Sequence, residues 1–194
     1  MNEKSKRDLI LSVSSNIFAQ QGFYNSKIST IAKKCGIGTG TVYLYFENKD
    51  QILKELMVQI WTMLANEVEK ISKNEKLDQK EKLYECSKQI ILLANNRKET
   101  AKIVLQEFAF WNDPNYENLT NSTNRFKSIL KSIISEGMEQ GIFHSQIIPE
   151  YAVHFLIGGV WHLIEYVVQS DNYDINQILD QTKLLVSHSF SNVI

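Results

Sequence analysis

Four side chains in one short stretch carry most of the polar chemistry this sequence can offer: Thr39, Thr41, Tyr43 and Tyr45. Each can hydrogen-bond, none is charged, and Lys27 and Lys49 bracket them. Hydroxyls on the free face of a short helix, flanked by cations, suit a DNA major groove, where they can meet base edges and phosphate oxygens. The other candidate clusters offer less. Gly36, Gly38 and Gly40 suggest a phosphate cradle, but Thr41 stands at the third glycine position of the dinucleotide fingerprint and no strand precedes it. They read as turn glycines. His154 and His162 are eight positions apart on one helix, so ~12 Å along its axis, too far to share a metal ion. His162 with Glu165 makes only two ligands. Cys35 and Cys86 form no metal-ligand or redox spacing and read as reduced thiols. No serine, histidine and acid combination stands out. No enzyme activity, metal or cofactor is expected.

The hydroxyl-bearing stretch needs a scaffold, and the segment 27–49, KISTIAKKCGIGTGTVYLYFENK, supplies one as two short helices around a glycine turn. Ser26 is placed to cap the first of them. Ile28, Ile31 and Ala32 fall on one face, and Gly36 ends the helix in the left-handed conformation that glycine adopts most cheaply. Val42 and Phe46, spaced i, i+4, are the buried stripe of the second. A longer helix from about Ser5 to Gln21 precedes them, carrying Leu9, Ile10, Val13, Ile17 and Phe18 and stopping at Gly22. Phe23 is expected to pack beneath the pair. Lys4, Lys6 and Arg7 sit at the free end of the first helix, where phosphates could reach them.

These residues resemble the signature of the tetracycline-repressor (TetR) regulators, through "IAKKCGIGTGTVYLYFENK" and the earlier "ILSVSSNIFAQQGFYNSKIS". Two positions depart from it. Gly38 stands where many members have serine or alanine, so a side-chain cap is missing, and Tyr45 stands where many have histidine. The expected DNA-binding set is Lys27, Ser29, Thr39, Gly40, Thr41, Tyr43, Tyr45 and Lys49. The resemblance implies a palindromic double-stranded DNA operator as partner. It also implies a homodimer formed by the last two helices, and a repressor released when a small apolar effector fills the C-terminal body. A body that only dimerises, on an effector-independent DNA-binding protein, is the alternative.

The rest of the chain reads as further helices, about nine in all, with no strand alternation. Asn48 with Gln51 opens a fourth, carrying its apolar stripe from Ile52 to Val68 with no break after Phe46. Asp78 with Glu81 caps a fifth, and a sixth spans 98–111. Asp113-Pro114 begins a seventh, Pro149 an eighth, and Asp174 with Gln177 a ninth. The fold class is therefore all-α: a three-helix head, 1–46, and a ligand-binding and dimerisation body, 47–194. Charge divides the same way. Residues 1–46 hold six basic and two acidic side chains, hence +4, against 15 basic and 20 acidic in the rest, hence -5. A basic head on an acidic body suits a head that meets phosphates.

By resemblance, helices four to eight surround an effector pocket. Trp61, Phe108, Trp111, Phe126, Gly158, Trp161 and His162 are its expected lining. The stretches "EGMEQGIF" and "FLIGG" lie nearer the branch of the family that responds to fatty acyl-CoA. Arg97, Lys98, Lys102, Arg125 and Lys127 could meet a CoA phosphate. The N-terminus has no apolar leader. The apolar run 151–168 contains two histidines and Glu165, too polar for a membrane span. A cytoplasmic protein is expected.

Overall fold

The computed structural model describes residues 3–106 and 117–191, and these are helical almost throughout, with no strand among them beyond one isolated bridge between Phe143 and Ser191. The head contains α1 (Glu3–Gln21), α2 (Ile28–Cys35) and α3 (Thr39–Tyr43); α4 (Lys49–Ser72) follows. The chain continues with α5 (Gln79–Asn96), α6 (Lys98–Gln106), α7 (Glu117–Glu139), α8 (Pro149–Gln169) and α9 (Ile175–Ser189). The expected end of α6 at Trp111 and the Asp113-Pro114 start of α7 lie outside the described residues.

Local chemistry accounts for most boundaries. Gly22 and Gly36 end α1 and α2 with φ of 77° and 67°. At Gly36 the Ile37 amide donates to the Ala32 carbonyl and the Gly36 amide to Lys33, the paired bonds of a Schellman turn. Asp78 and Glu81 form the full reciprocal capping box on α5. Pro149 occupies the first turn of α8, where its missing N–H is no loss.

Three caps differ from expectation. Lys27, not Ser26, is the N-cap of α2, and its side chain makes no capping bond. Ser26 is buried and its hydroxyl donates instead to the Gly22 carbonyl at 2.7 Å, closing the loop behind it. At α4 the Gln51 amide donates to Asn48 Oδ1, but Gln51 Oε1 accepts from the Glu47 amide rather than from Asn48, so the box is shifted by one residue. At α9 Asp174 accepts from the Asn176 amide, and Gln177 returns no bond.

By their contacts the residues form two compact units, Met1–Ile60 with Glu99–Thr120, and Trp61–Lys98 with Asn121–Ile194. The first three turns of α4 thus belong with the head, because Ile52, Leu53, Leu56 and Met57 are buried there. In the second unit α5 is central and packs against both α8 and α9. Its apolar contents include Leu83, Cys86, Ile91, Ile133, Ile134, Val153 and Val167. Burial pushes the Cys86 thiol up to about 12. α8 is long and apolar enough to cross a membrane on length and composition alone. Its residues Val153, Leu156, Val160 and Ile164 are buried, and its neighbours in the unit are α5 and α9.

Candidate nucleic-acid interface

The head is built around Ile10, Ile17, Phe18, Ile31, Val42 and Phe46, all at 1% exposure or less. Phe23 meets Phe18 edge-to-face at 5.2 Å beneath the two short helices. That core consumes one side of α3 and leaves the other in solvent. Thr39, Gly40 and Tyr43 are exposed, and Thr41 and Tyr45 are half-exposed. Lys27 and Ser29 are exposed at the start of α2. Seven of the eight expected DNA-binding residues therefore lie at least partly open to solvent on α2, α3 and their flanks. No side chain caps α3, as Gly38 predicts.

The eighth, Lys49, is directed inward. Its ammonium donates to the carbonyls of Phe23 at 2.7 Å and of Tyr24 and Ser26 at 3.1 Å, and sits 4.4 Å above the Phe23 ring. An ammonium has three N–H donors, and all three have acceptors here. These bonds stand against the expectation that Lys49 meets a phosphate. Arg7 is similarly engaged: its guanidinium pairs with Glu55 and lies 5.1 Å from the centre of the Phe46 ring.

Leu44 is a further exposed residue beside this face. At 83% exposure it follows α3 directly, on the same side as Gly40 and Thr41 by i+4 and i+3. An exposed leucine beside hydroxyls can meet a thymine methyl or a sugar. The helical spacing alone would have found it.

The expected effector lining is only partly assembled. Trp61 and Phe126, both buried, meet edge-to-face at 5.3 Å. Around them Thr62 and Ser122 approach to 3.2 Å, and Arg125 donates to Asn66 at 2.8 Å and pairs with Glu69. The second half of α4 is thereby stitched to α7. Two basic residues proposed for a CoA phosphate are spoken for: Arg125 in this way, and Lys98 on the Ser170 carbonyl and the Tyr173 ring. Trp161 is half-buried, and Phe108 and Trp111 lie outside the described residues. Gly158 and His162 require correction. Both are exposed, because buried Leu156, Val160 and Ile164 take the opposite phase of α8; a Cβ at Gly158 would meet nothing within 4 Å. Among the described residues, neither faces an interior cavity. The cleft that is described, of about 610 Å³, opens between α8, the loop after it and α9, among Leu163, Tyr166, Tyr173, Ile178 and Leu185.

The "EGMEQGIF" stretch has a packing cause. Gly137 lies against the Phe143 ring, where a Cβ would come within 2.2 Å of it, and Gly141 turns the chain at φ 71°. Among the described residues, no group of three or more His, Cys, Asp or Glu gathers as a metal site.

Comparison with known proteins agrees with this arrangement. Residues 10–56 match the family model described as bacterial regulatory proteins, tetR family, and residues 76–165 match the tetracyclin repressor-like C-terminal domain. The chain is 29% identical over 184 residues to the fatty acid metabolism regulator protein of Bacillus subtilis, covering 92% of each. Its fold superposes on FadR from Bacillus subtilis in complex with stearoyl-CoA, with a TM-score of 0.82 at 24% identity over 94% of this chain and 98% of that one. It also superposes on AibR in complex with isovaleryl coenzyme A and operator DNA, with a TM-score of 0.75 at 18% identity over 92% and 96% of the two chains.

Proposed function

Because the chain belongs to the TetR family of DNA-binding transcriptional regulators, we propose that it is a homodimeric repressor, without enzyme activity, that leaves a palindromic operator when a fatty acyl-CoA binds its body. It would act in the cytoplasm. The observation that carries this reading is the uncharged, hydroxyl-bearing face of α3, open to solvent on a fully packed three-helix head. Tyr43, Thr41 and Thr39 would meet base edges and phosphates, and exposed Lys27 would meet a phosphate.

The ligand class is supported by the relatives, one of which was solved with stearoyl-CoA and another with isovaleryl coenzyme A. Trp61 and Phe126 would form the apolar end of its site. Release then follows from α4. Its first turns are clasped to the head through Lys49 and Glu55, and its second half to α7 through Trp61, Thr62 and Asn66. Two recognition helices must stand ~34–36 Å apart to enter successive major grooves. A ligand that prefers the body with α4 displaced would spoil that distance, and only such a preference can shift the equilibrium.

Native mass spectrometry of the purified protein tests the assembly and the ligand together. The expected species is a dimer whose mass rises by one long-chain acyl-CoA per chain when stearoyl-CoA is added. A dimer that takes up none would leave DNA binding standing and remove the effector.

A further inference from the structure

From Thr39 to Phe46 the chain reads TGTVYLYF, with no arginine, lysine, asparagine, glutamine or carboxylate. Those are the side chains that read guanine, adenine and cytosine by hydrogen bonds in the major groove. Val42 and Phe46 are buried, so the open side of this helix offers hydroxyls, one glycine and Leu44. Leu44 is 83% exposed, and Tyr43 beside it 53%. A leucine alone on a surface needs no explanation. This one continues the turn of α3, with φ of -70° and ψ of -22°, and its amide donates to the Thr41 carbonyl at 3.3 Å. A helical side chain lies back over the turn before it. The residue four positions back is Gly40, exposed, where a Cβ would meet no atom within 4 Å. Packing among the described residues therefore does not require that glycine, and glycine weakens a helix.

We propose that Leu44 and Gly40 form a notch that takes the C5-methyl of a thymine, so that the contacted half-site is chosen by its methyl groups. The inference rests on the open side of α3 being the DNA face and goes beyond it by naming the base. In the major groove only thymine presents a methyl group, and that group is the feature an apolar side chain can favour there. A thymine methyl in the notch packs against Leu44. A side chain at position 40 would stand where the methyl sits. The methyls of Thr39 and Thr41 extend the same chemistry along the helix.

Operator duplexes selected from a random library by the full-length protein test the notch. Each thymine is replaced in turn by deoxyuridine, which keeps every hydrogen-bonding group and lacks only the methyl. At one position per half-site the replacement should weaken binding about fourfold, the worth of one buried methyl-sized group. In Leu44→Ala that penalty should vanish while the melting temperature stays at the parent's value. In Gly40→Ala the head should melt no lower, since alanine favours a helix, yet thymine should lose its advantage over deoxyuridine. A penalty that persists in either variant overturns the notch, for the methyl would then be read by another residue. A set of duplexes in which every thymine can be replaced at no loss overturns it too, and leaves DNA binding standing. A protein that retains no duplex from the library sinks DNA binding and the notch together.

Discussion

The ammonium of Lys49 lies 2.7 Å from the carbonyl oxygen of Phe23 and 4.4 Å above the ring of the same residue. One side chain at the start of α4 thereby holds the loop between α1 and α2 by its backbone and by its aromatic face. Arg7 makes a second clasp, from α1 to Glu55 on α4, across the Phe46 ring. The start of α4 therefore moves with the head and not apart from it. Whatever bends or swings in this helix must do so beyond Glu55.

Replacing Lys49 separates a clasp from a phosphate contact. Lys49→Met should lower the head's stability by about 1–2 kcal/mol, since three carbonyls lose a donor. DNA affinity should fall with it. The slope of log affinity against log salt should stay at the parent's value, because no phosphate partner is lost. A slope shallower by about one unit would return Lys49 to the DNA surface.

Lys27 should behave in the opposite way. It is exposed at the start of α2, with no capping role for its side chain. Lys27→Ala should leave the melting temperature unchanged, weaken binding to all DNA sequences alike and reduce the salt slope by about one. Salt titrations on operator and random duplexes would show it.

Gly137→Ala should destabilise the body. The added Cβ would meet the Phe143 ring at 2.2 Å, and Phe143 is itself buried against Phe190. Overpacking of this kind costs about 1–3 kcal/mol, more than alanine's gain in helix propensity. Thermal melts should show the loss, and a second change, Phe143→Leu, should recover part of it. Additive losses in that cycle would mean that the two positions do not touch.

Much of this was legible beforehand, and the failures share a cause. Gly36, Gly22, Pro149 and the Asp78–Glu81 box act within one turn of backbone, so their types and spacing were enough. The α3 stripe was legible because Val42 and Phe46 alone occupy its buried phase. Lys49 was not, because its acceptors lie more than twenty positions earlier in the chain. A lysine beside a recognition helix looks the same whether it faces phosphate or three carbonyls. Gly158 and His162 failed for a related reason. Glycines in a helix signal close approach, but the sequence does not say on which side, and the structure turns them outward. Ser26 is not the cap because α2 begins one residue later, with Lys27 at the N-cap and the buried Ser26 hydroxyl bonded back to the Gly22 carbonyl.

The alkaline limb of stability should carry a trace of Cys86. Burial raises its thiol to about 12, with the Glu85 carboxylate adding to the effect. The unfolded chain releases that proton near pH 8.5, so between there and about 12 it binds fewer protons than the fold, and stability falls as pH rises. Below that range the contribution is intact. Denaturant midpoints should therefore decline more steeply with pH in the parent than in Cys86→Ala. Parallel curves would mean that the thiol ionises freely in the folded body.

Whether an acyl-CoA in the body releases the operator can be measured directly. A fluorescent duplex carrying the palindrome selected by the protein is bound to saturation, and stearoyl-CoA is then titrated in while anisotropy is read. The anisotropy should fall to the free-DNA value at a stoichiometry of one acyl-CoA per chain, and free CoA should have no such effect. Anisotropy unchanged while stearoyl-CoA is shown to occupy the body would contradict this release, for the ligand would then bind both states equally and shift nothing.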